Sequence, residues 1–200
     1  MKAQQVQSLA RLVVVVGLVL LVIRCAHAQA TPAVQLANAN CSLKWSYTQL
    51  YVRELTGNND GVEVEAYLRA TGNRKGESWC GSFQAAVQRA CGLPSPAGAA
   101  GSYNWFKLNN PRTYYVRGQR GSADQIQLGD KVGFYYSNLG RIGHILLVAR
   151  ESRPIRAGRP SRGFILRSGN TGRGGGRNGA GVYDLYYPTT SIYAASNWKY

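Results

Sequence analysis

The stretch Trp79-Cys80-Gly81-Ser82-Phe83-Gln84-Ala85-Ala86-Val87-Gln88-Arg89-Ala90-Cys91-Gly92-Leu93-Pro94 decides how the chain is read. Phe83, Ala86, Val87, Ala90 and Cys91 share one stripe at helical spacing, and Gly92-Leu93-Pro94 supplies the stop. The same period recurs upstream. Leu43, Tyr47, Leu50, Tyr51 and Leu55 predict a helix over Ser42–Leu55. The turn cluster Gly57-Asn58-Asn59-Asp60-Gly61 stops it and offers an N-cap to a second helix over Val62–Ala70. After Pro94 the period changes to two. Lys131–Tyr136, Ile142–Ala149, Gly163–Ser168 and Val182–Tyr187 read as strands between turn residues. Helices first and strands second predict an α+β domain, with N-terminal helices packed on an antiparallel sheet.

The 200 residues are 44% hydrophobic and 16% charged, which suits one globular domain and excludes a disordered chain. No apolar run reaches the ~18 residues of a membrane span. No pair of cysteines has zinc-finger spacing. Residues 1–28 have the layout of a secretory signal peptide: Lys2 and Arg11, an apolar block Leu12–Ile23, then Ala26-His27-Ala28. Arg24 stands where a small residue would precede a lipidated Cys25, so lipidation is not expected. Cleavage near Ala28 predicts export to the periplasm or the extracellular space. The 24 Lys and Arg outnumber the 9 Asp and Glu; the leader holds three of those cations and no acid, so the charge falls from +15 to +12. Residues 29–41 read as a loose Ala-rich leader and 42–200 as the working domain. The exported chain keeps Cys41, Cys80, Cys91 and one histidine, His144.

Those four residues bound the chemistry. Cys80 stands at the first turn of its helix, where free N–H groups and the helix dipole favour a thiolate and could hold an oxyanion. His144 lies in a strand on the face of Leu146 and Val148, and Asn170 follows the next strand. Thiol, imidazole and an orienting polar group form the set a thiol hydrolase needs. A buried core histidine is the competing reading of His144. Cys80 and Cys91 would sit about 16 Å apart along one helix, beyond the ~7 Å a disulfide spans. The pairings left are Cys41 with Cys80 or with Cys91; Cys91 lies on the apolar stripe, which favours Cys41–Cys91 or no bridge, with Cys80 free. No two of the four have the close spacing of a Cys-His zinc site. Gly174, Gly176 and Gly179 match a dinucleotide fingerprint in spacing alone, since no helix follows them.

Gly76-Glu77-Ser78-Trp79-Cys80, Phe83, Gly129-Asp130, Gly143-His144 and Gly169-Asn170, in that order, resemble the CHAP and NlpC/P60-like cysteine amidases and peptidases. Val52-Arg53-Glu54-Leu55-Thr56-Gly57-Asn58-Asn59-Asp60-Gly61 is similar to the lead-in of CHAP-type proteins, so the likeness runs from about Leu43 to Thr171. It implies a papain-like core, cleavage of peptidoglycan amide bonds without a cofactor, Cys80 as nucleophile and His144 as base. Relatives often carry Glu two residues before the Asn. Here that residue is Ser168, so the third role falls on Asn170, and a wall-binding protein without turnover is the alternative. Gly81 and Ser82 replace the Ala pair common after the Cys.

Arg150, Arg153, Arg156, Arg159 and Arg162 recur every third residue among Pro154, Gly158 and Pro160. They read either as a solvated hairpin loop or, in polyproline II, as a basic ridge for an anionic envelope polymer. The segment lacks interleaved aromatics, and with an export signal this argues against nucleic acid. A monomer is expected.

Overall fold

The computed structural model describes residues 31–156, 159, 160 and 162–200, giving the backbone alone for 155, 156, 159 and 160. The signal peptide and its cleavage site lie outside these residues. Pro32–Tyr200 forms one compact unit. Three helices come first: α1 Pro32–Tyr47, α2 Val62–Ala70 and α3 Cys80–Ala90. The strands are β1 Thr113–Val116, β2 Lys131–Tyr136, β3 Arg141–Ser152, β4 Ile155–Arg156, β5 Arg159–Pro160, β6 Gly163–Thr171, β7 Gly181–Pro188 and β8 Ala194–Ser196. Six of them make one sheet in the order β1-β8-β2-β3-β6-β7, with every neighbouring pair antiparallel. The α+β class follows from the sequence as expected. Among the described residues no helix is long and apolar enough to cross a membrane.

α3 is the buried element that organises the rest. Cys80 through Ala85, with Val87 and Gln88, are buried, because the helix carries a single charge, Arg89, in its last turn. Its two glutamines are tolerated there through hydrogen bonds: Gln84 Nε2 donates to the Arg167 carbonyl and Gln88 Nε2 to the Trp198 carbonyl. Phe83 and Val87 pack with Val64, Leu68, Trp79 and Val182. Side chains of this size contribute roughly 1.5–3 kcal/mol each on full burial. On the sheet, Ile142 and Ile145 share a cluster with Cys80, Trp105 and Trp198. Leu146 and Val148 pack instead with Ile126, Phe164, Leu166 and Ile192. Neighbouring residues of β3 therefore serve two different cores.

The N-terminal region differs from the sequence reading. Where a loose leader was expected over 29–41, α1 begins at Pro32, whose fixed φ suits the first helical position. Ala39, Ser42 and Ser46 are its buried residues, and Asn38 Nδ2 donates to the Lys199 carbonyl at 2.7 Å. Ser42–Leu55 is consequently not one helix: α1 stops at Tyr47, turns follow, and Leu55 stands 77% exposed. The expected side-chain N-cap of α2 is absent. Gly61 is the cap residue, and the Asp60 carboxylate accepts from the Thr56 N–H and hydroxyl instead.

The arginine-rich segment forms the β4–β5 hairpin, with Arg156 opposite Arg159. Among the described residues of the segment a polyproline ridge is not formed. Arg153 pairs with Glu151, and Arg162 with Glu151 and Asp124, so two of the five arginines are neutralised locally.

Candidate functional site

The start of α3 is held from several sides. Trp79 is its N-cap residue; its ring stacks on Tyr67 with centroids 6.0 Å apart and its Nε1 donates to Glu54 Oε1 at 2.7 Å. Gly169 of β6 admits that ring, since a Cβ there would lie 2.3 Å from a Trp79 ring carbon. Beyond it Asn170 adopts the left-handed conformation, φ 55°. Oriented as its neighbours require, the Asn170 amide oxygen accepts from the Trp79 N–H at 3.2 Å. Its nitrogen donates to Asn59 Oδ1 and the Gly179 carbonyl. Asn170 thus ties the end of β6 to the start of α3, and its amide makes no hydrogen bond to His144.

Cys80 is 3% exposed and is the single free cysteine among the described residues, because Cys41 and Cys91 form a disulfide with Cα atoms 5.9 Å apart. Its Sγ shares a 3.2 Å hydrogen bond with Ser102 Oγ. Burial pushes the thiol up from its ordinary value. The Ser102 hydroxyl and the N–H groups of Ile145, Gly81 and Cys80 itself pull the other way without reversing it. The helix terminus expected to favour a thiolate is therefore outweighed by desolvation. The loop 99–102 that brings Ser102 in also explains Gly81: a Cβ there would stand 2.2 Å from the Ala100 carbonyl oxygen. Ser82 turns back to bond Thr71 Oγ1 at 2.7 Å. The Gly-Ser pair after the cysteine serves this packing.

His144 is wholly buried, and neither ring nitrogen has a hydrogen-bond partner. It pairs with Phe134 while Ile142 pairs with Tyr135, so Gly143 is the extra residue of a β-bulge. Alternation along β3 puts His144 with Leu146 and Val148, as expected, and so on the opposite face from Ile145, which packs with Cys80. Cys80 and His144 thus share no hydrogen bond, although the Ile145 N–H that faces the sulfur follows His144 directly.

Burial lowers the His144 imidazole to about 3, and the Arg177 charge adds to it. An unfolded histidine takes a proton as pH drops through about 6.5, while the folded one stays neutral. The unfolded state then binds more protons, so stability falls with falling pH between those values. We expect a loss approaching about 1.4 kcal/mol per pH unit below pH ~6. Denaturant unfolding of wild type and His144→Gln across that range measures it, and parallel curves would refute a buried neutral His144.

Asp130, the other acid of the motif series, is structural. Its carboxylate accepts from Tyr114 Oη and the Gln127 N–H and pairs with buried Lys199 at 2.8 Å. Around the site, residues that carried no sequence motif prove closest: Ser102 on Cys80, Tyr103 beneath Arg141 and Tyr136 beneath Arg177. Only an isolated Ser-Tyr in a Gly-Ala-rich loop marked the first two. Among the described residues no group of acidic, His or Cys side chains could hold a metal ion. No protein-family model matches the chain, and no curated protein or solved structure is significantly similar to it.

Proposed function

We propose that this chain is an exported, cofactor-independent cysteine hydrolase that cleaves amide bonds of peptidoglycan, built on a papain-like core. The observation that carries the reading is the cradle at Cys80: a lone free thiol at a helix start, facing one hydroxyl and three N–H groups. Those amides can accept the charge of a tetrahedral intermediate when a carbonyl carbon bonds to the sulfur. Cys80 Sγ attacks the carbonyl, and its proton passes to His144. The imidazole returns that proton to the departing amine, and water then hydrolyses the thioester. With the thiol raised and the imidazole lowered, both start neutral, so proton transfer accompanies attack. The reading requires the Gly143 bulge of β3 to shift as substrate enters so that the imidazole reaches the sulfur's face of the sheet, and neither ring nitrogen has a hydrogen bond to give up. The Cys41–Cys91 disulfide suits an oxidising compartment, in keeping with export.

A second reading, a wall-binding protein without turnover, is favoured by one observation. Ser168 stands where relatives often have Glu, and its buried hydroxyl donates to the Ile145 carbonyl at 2.7 Å. Incubation with purified cell walls separates the two. The hydrolase reading expects soluble muropeptides from wild type. Sedimentation of intact protein with walls, and no release at any enzyme concentration, would leave the binding reading.

A further inference from the structure

Two arginines flank the proposed site without an acidic partner. Arg141 lies over the Tyr103 ring at 5.2 Å, next in sequence to the Ser102 that bonds Cys80. Arg177 lies over the Tyr136 ring at 5.6 Å, and its charge is felt by His144. Tyr136 and Arg141 are cross-strand partners in β2 and β3, so both guanidinium groups gather at one end of that strand pair. Gly143 lets Tyr136 and Arg177 close in on β3: a Cβ there would stand 2.7 Å from Leu139 Cδ1, 3.0 Å from Tyr136 Cδ2 and 3.5 Å from Arg177 Cδ. Among the described residues neither arginine enters a salt bridge, whereas Arg153, Arg162 and Arg167 all do. The tyrosine rings support the guanidinium groups; Arg141 donates one N–H to the Ile142 carbonyl at 3.4 Å, and its other donors suit a carboxylate from outside.

We infer that Arg141 and Arg177 form a carboxylate-binding subsite beside Cys80, selecting peptides with a free carboxylate next to the bond that is cut. The inference rests on the cysteine-hydrolase reading for the word substrate, but the subsite itself can be tested without turnover. Iodoacetate and iodoacetamide alkylate a thiol by the same displacement of iodide and differ in the carboxylate. Wild type at one mildly alkaline pH is expected to react with iodoacetate about tenfold faster than the intrinsic ratio in a denatured control, the lower end of enhancement in a cleft of one charge sign. Arg141→Gln with Arg177→Gln should bring the iodoacetate-to-iodoacetamide rate ratio back to that of the denatured control, the loss of thiolate slowing both reagents alike, and high salt should weaken the wild-type preference. Unchanged preference in the double variant, or a wild-type thiol that neither reagent reaches, overturns the subsite. Hydrolysis of a soluble wall peptide and of its carboxamide counterpart separates the two ideas. Equal cleavage of both would sink the subsite and keep the hydrolase, while anionic preference in alkylation with no cleavage of either would do the reverse.

Discussion

Replacing Cys41 and Cys91 together by alanine is expected to cost about 4 kcal/mol of stability, since their bridge closes a loop across a sequence separation of 50. The loop holds the turns after α1, all of α2 and all of α3. In the unfolded chain the bridge removes the freedom of that entire segment, and the folded form loses little, because Cys41 and Cys91 are only partly buried. For a domain of this size, that cost lowers Tm by about 10 °C. Denaturant unfolding of the double variant and of wild type in reductant should give the same midpoint. Cys80→Ser, which leaves the bridge intact, serves as control. A cost below about 1 kcal/mol would mean that α1 is held by its contacts with the C-terminal segment, such as Asn38 to the Lys199 carbonyl and Asn197 to Gln35.

How much of this was legible in the sequence depended on whether a residue's role was local. α3 and the four longer strands were readable, because a stripe or an alternation is written into neighbouring residues. α1 was misplaced because Pro32, Ala33, Ala37 and Ala39 look like a loose leader; what holds the helix is distant in sequence, namely the disulfide, Ala39 against Gly129, and Gln35 and Asn38 bonded to Asn197 and the Lys199 carbonyl. β1 and β8 were not foreseen: at four and three residues they are too short to show a period, and β8 forms between β2 and β1, giving β1 its one partner in the sheet. For the site, the face of His144 was read correctly, as was Cys80 as the free thiol. Which face α3 would cover depends on long-range packing that no local pattern records. Asn170 was read as the group that orients the imidazole, whereas its amide bonds Trp79, Asn59 and Gly179 and leaves both His144 nitrogens without it, because the left-handed turn after β6 aims it at the start of α3. The three-residue recurrence of arginine was compatible with both a ridge and a hairpin, and Glu151 with Asp124 favours the hairpin by capturing two of the five.

Removal of the Cys80 sulfur is the change with the largest expected effect on activity. Cys80→Ala should lower muropeptide release at least about 10⁴-fold with Tm little changed, because the nucleophile is lost and the space is nearly kept. Cys80→Ser should be almost as inactive: a hydroxyl lies far above the thiol in pKa, and a base as weak as this buried imidazole cannot activate it. His144→Gln, which keeps roughly the ring's bulk, should cost about 10²–10⁴-fold. Asn170→Ala removes a helix-start acceptor from Trp79 and should lower both rate and stability without abolishing either. The ordering Cys80 over His144 over Asn170 is what separates a nucleophile, its base and a positioning residue. Alkylation of wild type supplies the second measurement. Because burial raises the thiol and lowers the imidazole, the reaction rate with iodoacetamide should keep climbing with pH into and beyond the ordinary thiol range. A plateau already reached below neutrality would show a preformed thiolate–imidazolium pair and refute the neutral starting state. Full muropeptide release by Cys80→Ala would remove the thiol from the mechanism altogether.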